Sequence, residues 1–175
     1  MRSLIVLALL VSSAAADPKL DVPARMHAYY GTRAGYSKVY RNVMEWHKTT
    51  QNGCVAFAST ALRQVGVEIP QTDVYKHGYN VSRITGAFAS YLAEDLGWER
   101  IEDPAELRAG DIVFTTETSP GYPSHVMMFD GWVKKGVTGS FVDNQGFHVS
   151  RAIAPKAGSD VDGFGFALRP RAVRT

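Results

Sequence analysis

The sequence predicts an α+β fold in which helices come first and an antiparallel sheet follows. Three observations predict it. Apolar residues recur at helical spacing in segments ahead of residue 97. Beyond residue 110, short apolar runs alternate with turn residues, the pattern of strands joined by hairpins. The chain has 175 residues, 45% of them apolar and 21% charged, enough for one domain with a core of its own.

The elements follow in order. After a polar, Pro-containing lead-in to about Val22, residues 36–47 place Val39, Val43, Met44 and Trp46 at helical spacing. Thr49-Thr50-Gln51-Asn52-Gly53 is a run of turn and cap residues. Cys54 then opens a second helix, whose face is Cys54, Ala58, Ala61, Leu62 and Val65. Gly66 ends it, and Pro70 prevents quick resumption. A third helix spans 84–97, with Ile84, Phe88, Tyr91, Leu92 and Leu96 as its stripe. Leu107 to Asp111 is a turn into a strand, Ile112-Val113-Phe114. Thr116 to Pro123 is a loop, and His125 opens a second strand. Lys134-Lys135-Gly136 turns into a third strand, 138–143. Strands at 148–153 and 163–168 complete the set.

The N-terminus has the three-part pattern of a secretory signal: Met1-Arg2-Ser3, the apolar run Leu4 to Val11, and small residues ending in Ala14-x-Ala16. The apolar run is too short for a bilayer span, so residues 1–16 are expected to be cleaved and the protein secreted or periplasmic, with no stable membrane insertion. A net charge of +2 without a Lys/Arg cluster argues against nucleic acid.

Export makes the cysteine count informative. Oxidising compartments favour paired cysteines, and this chain has one. A lone cysteine there is an intermolecular linker, an inert buried residue or a working thiol. Its place in the first turn of a helix favours the third reading. Unpaired N–H groups and the positive end of the helix dipole favour a thiolate, the nucleophilic form.

Three features now stand in order: a cysteine opening a helix, Leu107-Arg108-Ala109-Gly110-Asp111-Ile112-Val113-Phe114, and His125 opening the next strand. The set resembles the papain-like cell-wall cysteine peptidases and amidases, of the NlpC-type and CHAP families. Asn52 to Leu62 is also similar to amidase effectors that bacteria inject into rivals. The resemblance covers about residues 50–150. It implies a papain-like fold, with the nucleophile's helix packed on a small antiparallel sheet. Together with the N-terminal pattern it divides the chain into signal peptide (1–16), N-terminal extension (17–45) and hydrolase domain (46–175).

On this resemblance Cys54 is the nucleophile and His125 the general base. The group orienting His125 comes from Asp143-Asn144-Gln145. If Lys135-Gly136 centres the hairpin, Asn144 shares the face of position 125, whereas a one-residue shift puts Asp143 and Gln145 there. Family comparison favours Asp143, with Asn144 as the alternative. The NlpC-type enzymes often carry a histidine here, and this chain does not. Oxyanion donors are the backbone N–H of Cys54 and the Gln51 side chain. Tyr29, Tyr30, Tyr36, Tyr122 and Trp132 are aromatic candidates for lining a glycopeptide groove.

The expected activity is hydrolysis of peptide or amide bonds, in peptidoglycan above all, through a thioester. No cofactor is required, and no His/Cys/Asp group has metal-ligand spacing. Peptidoglycan or a peptide is the expected partner. An amidase effector would add an inhibitor or immunity protein. A catalytically inactive cell-wall-binding module is the third alternative.

Overall fold

A computed structural model describes residues 21–71, 74–119, 122–155 and 162–171. The signal-peptide reading of residues 1–16 lies outside them. Among the described residues there are four α-helices: α1 (Val22–Tyr30), α2 (Arg33–Trp46), α3 (Cys54–Gln64) and α4 (Thr85–Ser90). The fold mixes helices with antiparallel sheet, as an α+β domain does. The main sheet has six strands, β3 (Glu99–Ile101), β4 (Ile112–Thr115), β7 (Val126–Lys134), β8 (Thr138–Asp143), β9 (Gly146–Ala152) and β10 (Phe164–Arg169). Their order across the sheet is β3-β10-β4-β7-β8-β9, every pair antiparallel. Two small ribbons stand apart: β1 (Tyr75–Lys76) with β2 (Tyr79–Asn80), and β5 (Glu117–Ser119) with β6 (Tyr122–Pro123).

Several elements differ from expectation. Helix α1 was not predicted; Asp21 caps it, its side chain accepting from the Ala24 N–H at 2.9 Å. Helix α2 starts at Arg33 rather than 36, because Thr32 accepts from the Gly35 N–H at 3.1 Å. The helix expected over 84–97 is α-helical only to Ser90 and passes through a π-helical turn, Tyr91–Asp95. Strand β3 was missed, and the loop at 116–123 contains the β5–β6 ribbon.

The first core layer lies between the helices and one sheet face. Met26 and Tyr30 of α1, Val39 and Val43 of α2, Phe57 and Leu62 of α3 and Phe88 of α4 meet Phe114, Met128, Val142 and Phe166. The helices of the expected N-terminal extension therefore share one core with the strands. Helix α3 runs through the middle and is buried from Val55 to Leu62, not along one face alone. Its buried hydroxyls are satisfied: Ser59 donates to the Ala56 carbonyl, and Thr60 accepts from Trp46 Nε1 and Arg63 Nη2. On the opposite sheet face Val113, Met127, Phe129, Phe141 and Ala167 form a second, smaller layer.

The Gly-Asp pair before β4 has a structural explanation. Gly110 has φ +94°, and a Cβ there would stand 1.8 Å from the Pro23 carbonyl oxygen, so α1 rests directly on its backbone. Asp111 is fully buried and receives Arg169 through Nε at 2.7 Å and Nη2 at 2.6 Å, a bidentate pair tying β10 to the start of β4. No helix among the described residues is long and apolar enough to cross a membrane.

Candidate active site

Cys54 is the first residue of α3 and is half-buried. The turn before it is built from its own polar groups. Thr49 Oγ1 accepts from the Gln51 N–H at 3.0 Å, Asn52 takes the left-handed conformation at φ +53°, and the Gly53 N–H donates to the Thr50 carbonyl at 3.1 Å. Gly53 offers no capping side chain. The first intrahelical bond is that of the Phe57 N–H to the Gly53 carbonyl, so the N–H groups of Cys54, Val55 and Ala56 have no partner within the helix.

His125 stands immediately before β7. Its main chain is held on both sides by Thr115: the His125 N–H donates to Thr115 Oγ1 at 3.0 Å, and its carbonyl accepts the Thr115 N–H at 3.1 Å. The ring is nearly enclosed, with 14% of the side chain exposed. Nε2 lies 2.8 Å from Asp143 Oδ2, and Cys54 stands near enough to the same imidazole to favour its cation. With Nε2 committed to Asp143, Nδ1 is the nitrogen left for the thiol.

Asp143 is the best-satisfied acid in the site and is almost wholly buried. Oδ1 accepts the Gln145 N–H at 2.7 Å and the Gly146 N–H at 3.1 Å. Oδ2 accepts His125 Nε2 and Arg151 Nη2, the latter at 2.7 Å. Burial alone would raise its carboxyl, but the bond and charge of His125, Arg151 and the amides outweigh burial and hold it below the ordinary 3.8. Burial likewise disfavours the His125 cation. The bonds and charges of Asp143 and Cys54 overcome it and raise the imidazole from 6.5 to about 9.

The β7–β8 ladder shifts register twice. At the tip Lys134 pairs with Thr138; one step on, Trp132 pairs with Gly139 and Gly131 with Ser140; a further step on, Phe129 pairs with Phe141 and Met128 with Val142. The two one-residue shifts together restore the parity of the tip pair, and it is Asp143, not Asn144, that meets His125.

The remaining candidates fall as follows. Asn144 turns away from His125: its Nδ2 donates to the Thr50 carbonyl at 2.9 Å, tying the β8–β9 turn to the loop before Cys54. Gln51 is exposed in that loop. Tyr30 is fully buried in the core and cannot line a groove. Trp132 stands edge-on to Phe129, far up the β7–β8 hairpin from His125. Arg151 was missed, although β9 alternates and an arginine stood in the inward phase set by Phe147 and Val149. Among the described residues no three His, Cys, Asp or Glu side chains converge to hold a metal ion. A concavity of about 640 Å³, lined by Arg63, Ile69, Pro70 and Tyr91 among others, lies at the opposite end of α3 from Cys54 and includes neither His125 nor Asp143.

No protein-family model matches the chain, and searches of curated proteins and of solved structures find no significant match.

Proposed function

We propose that this protein is an exported cysteine hydrolase of papain-like design that cleaves peptide or amide bonds, with peptidoglycan as its substrate. The observation that carries this reading is one constellation. A thiol at an uncapped helix start stands beside an imidazole whose Nε2 is held by a buried, ionised carboxylate. A structural cysteine needs none of these partners. The three-part N-terminal pattern supports export, and a mildly basic chain suits an anionic wall polymer.

The reaction follows from the placement of the groups. The Cys54 proton passes to His125, and the sulfur attacks the carbonyl carbon of the scissile amide. Negative charge on the carbonyl oxygen is received by the free N–H groups at the start of α3, with the exposed Gln51 amide as the side-chain candidate. The tetrahedral species collapses, the C–N bond breaks, and imidazolium His125 gives its proton to the departing amine. A water molecule then adds to the thioester while His125 takes its proton. The acid leaves and Cys54 regains its proton. Asp143 stays ionised throughout and keeps the imidazole in one orientation.

Purified mature protein incubated with sacculi tests the reading. Wild type is expected to release soluble muropeptides, and Cys54→Ala and His125→Ala are expected to release none while keeping the native fold. Equal behaviour of all three proteins would overturn it.

A further inference from the structure

We propose that Arg151 is a positioning residue of the triad, which fixes the edge of Asp143 that His125 uses and so the direction in which the imidazole faces Cys54. The inference rests on the hydrolase reading above and adds to it a fourth residue.

The geometry is specific. One nitrogen of Arg151, Nη2, is forked between Asp143 Oδ2 and Gln145 Oε1, both at 2.7 Å. Its two protons are thereby committed in different directions. Oδ2 is also the oxygen that holds His125 Nε2. The other oxygen is filled by two backbone amides. The carboxylate therefore has two donors on each oxygen and cannot turn about its axis without breaking bonds on both edges. Remove Arg151 and Oδ2 keeps a single donor, so the acid can rock and the imidazole can rock with it.

The arginine is costly where it stands. Only 14% of its side chain is exposed, and Nε is buried with no partner. A hairpin turn that merely needed closing would be served by an apolar residue in that inward position. A planar guanidinium also matches the task better than a lysine, because the fork holds two acceptors at fixed angles. The charged and titratable groups around Asp143 come from every neighbouring element: His125 beside β7, Arg151 on β9, and Tyr30 and Tyr36 on α1 and α2. Burial first, and then the charge of Asp143, hold both tyrosine hydroxyls above their ordinary value.

The test uses Arg151→Met and Arg151→Lys in the full mature chain. Two readouts are needed: kcat and KM on a soluble muropeptide across pH, and titration of the His125 ring followed by NMR. Arg151→Met is expected to leave KM in place and lower kcat by about tenfold to a hundredfold. It is also expected to move the His125 titration upward, because a cation that repels the imidazolium is gone. Arg151→Lys is expected to return the titration to wild type while recovering only part of kcat. Wild-type kcat in a folded Arg151→Met overturns the proposal, as does a kcat loss with an unmoved titration, which is the mark of a structural residue. If Arg151→Met does not fold, Arg151→Lys decides, and wild-type kcat in that variant overturns it. A wild-type protein that hydrolyses nothing defeats the hydrolase reading instead, and the His125 titration then decides the Arg151 coupling by itself.

Discussion

Replacing Asp143 by asparagine removes one oxygen and adds two protons in a pocket where four donors converge. The donors are the N–H groups of Gln145 and Gly146 on one edge, and His125 Nε2 and Arg151 Nη2 on the other. An asparagine has a single acceptor oxygen, so whichever edge it serves, its NH₂ group faces two donors on the other edge. Each buried donor left unpaired costs about 1–3 kcal/mol, so the substitution is expected to cost about 2–6 kcal/mol. That is a large share of the roughly 5–15 kcal/mol that holds a domain of this kind together. The same change withdraws the charge that favours the His125 cation. The rise of His125 from 6.5 to about 9 corresponds to about 3 kcal/mol, which Asp143 shares with Cys54. The imidazole should then titrate well below 9, since burial now acts with less opposition. Urea denaturation read by fluorescence gives the stability, and NMR of the ring gives the titration. An Asp143→Asn protein within about 0.5 kcal/mol of wild type, with His125 still titrating near 9, would refute the convergence argument.

Three further outcomes follow from other parts of the molecule. His125 is raised in the folded state, so its stabilisation is complete below its ordinary 6.5 and is lost as pH rises through about 9. Urea midpoints should fall across that window, and His125→Gln should flatten the fall; an unchanged slope in the variant would contradict it. Gly110→Ala should cost about 2–4 kcal/mol, because its Cβ would collide with the Pro23 carbonyl at a backbone angle that favours glycine. A wild-type midpoint in that variant would mean that α1 does not rest there. Asn144→Ala should cut kcat about tenfold while costing only about 1 kcal/mol of stability, since it frees the Thr50 carbonyl from the β8–β9 turn. Unimpaired kcat would show that this tether does not align Cys54.

Much of the arrangement was legible because it depends on local patterns. Cys54 opening a helix, the Ile112-Val113-Phe114 strand and the turn at Lys134–Gly136 each carry their signal within a dozen residues. Helix α1 was illegible for the opposite reason: it buries little beyond Pro23, Met26 and Tyr30, too sparse a stripe to stand out. Strand β3 has three residues, too few to alternate. The residue opposite His125 was narrowed to neighbours but not resolved, because hairpin parity depends on how many bulges the strands carry, and Gly131, a glycine inside the strand pattern, marks one of the two shifts but not the other. Arg151 was readable in principle as a cation in the inward phase of β9, where Phe147 and Val149 set an apolar pattern. Its bond to Asp143, eight residues away, comes from the paired hairpin rather than from either strand alone.

The bulge in β7 has a consequence for how such a site tolerates changes in length. Asp130 is the residue left over between Gly131, which pairs with Ser140, and Phe129, which pairs with Phe141. Deleting it, with the tip left intact, would keep Phe129 opposite Phe141 and Met128 opposite Val142, so position 125 would still look onto Asp143. A hairpin of this kind can change length without exchanging the partner of its histidine, because the bulge takes up the difference some distance from the site.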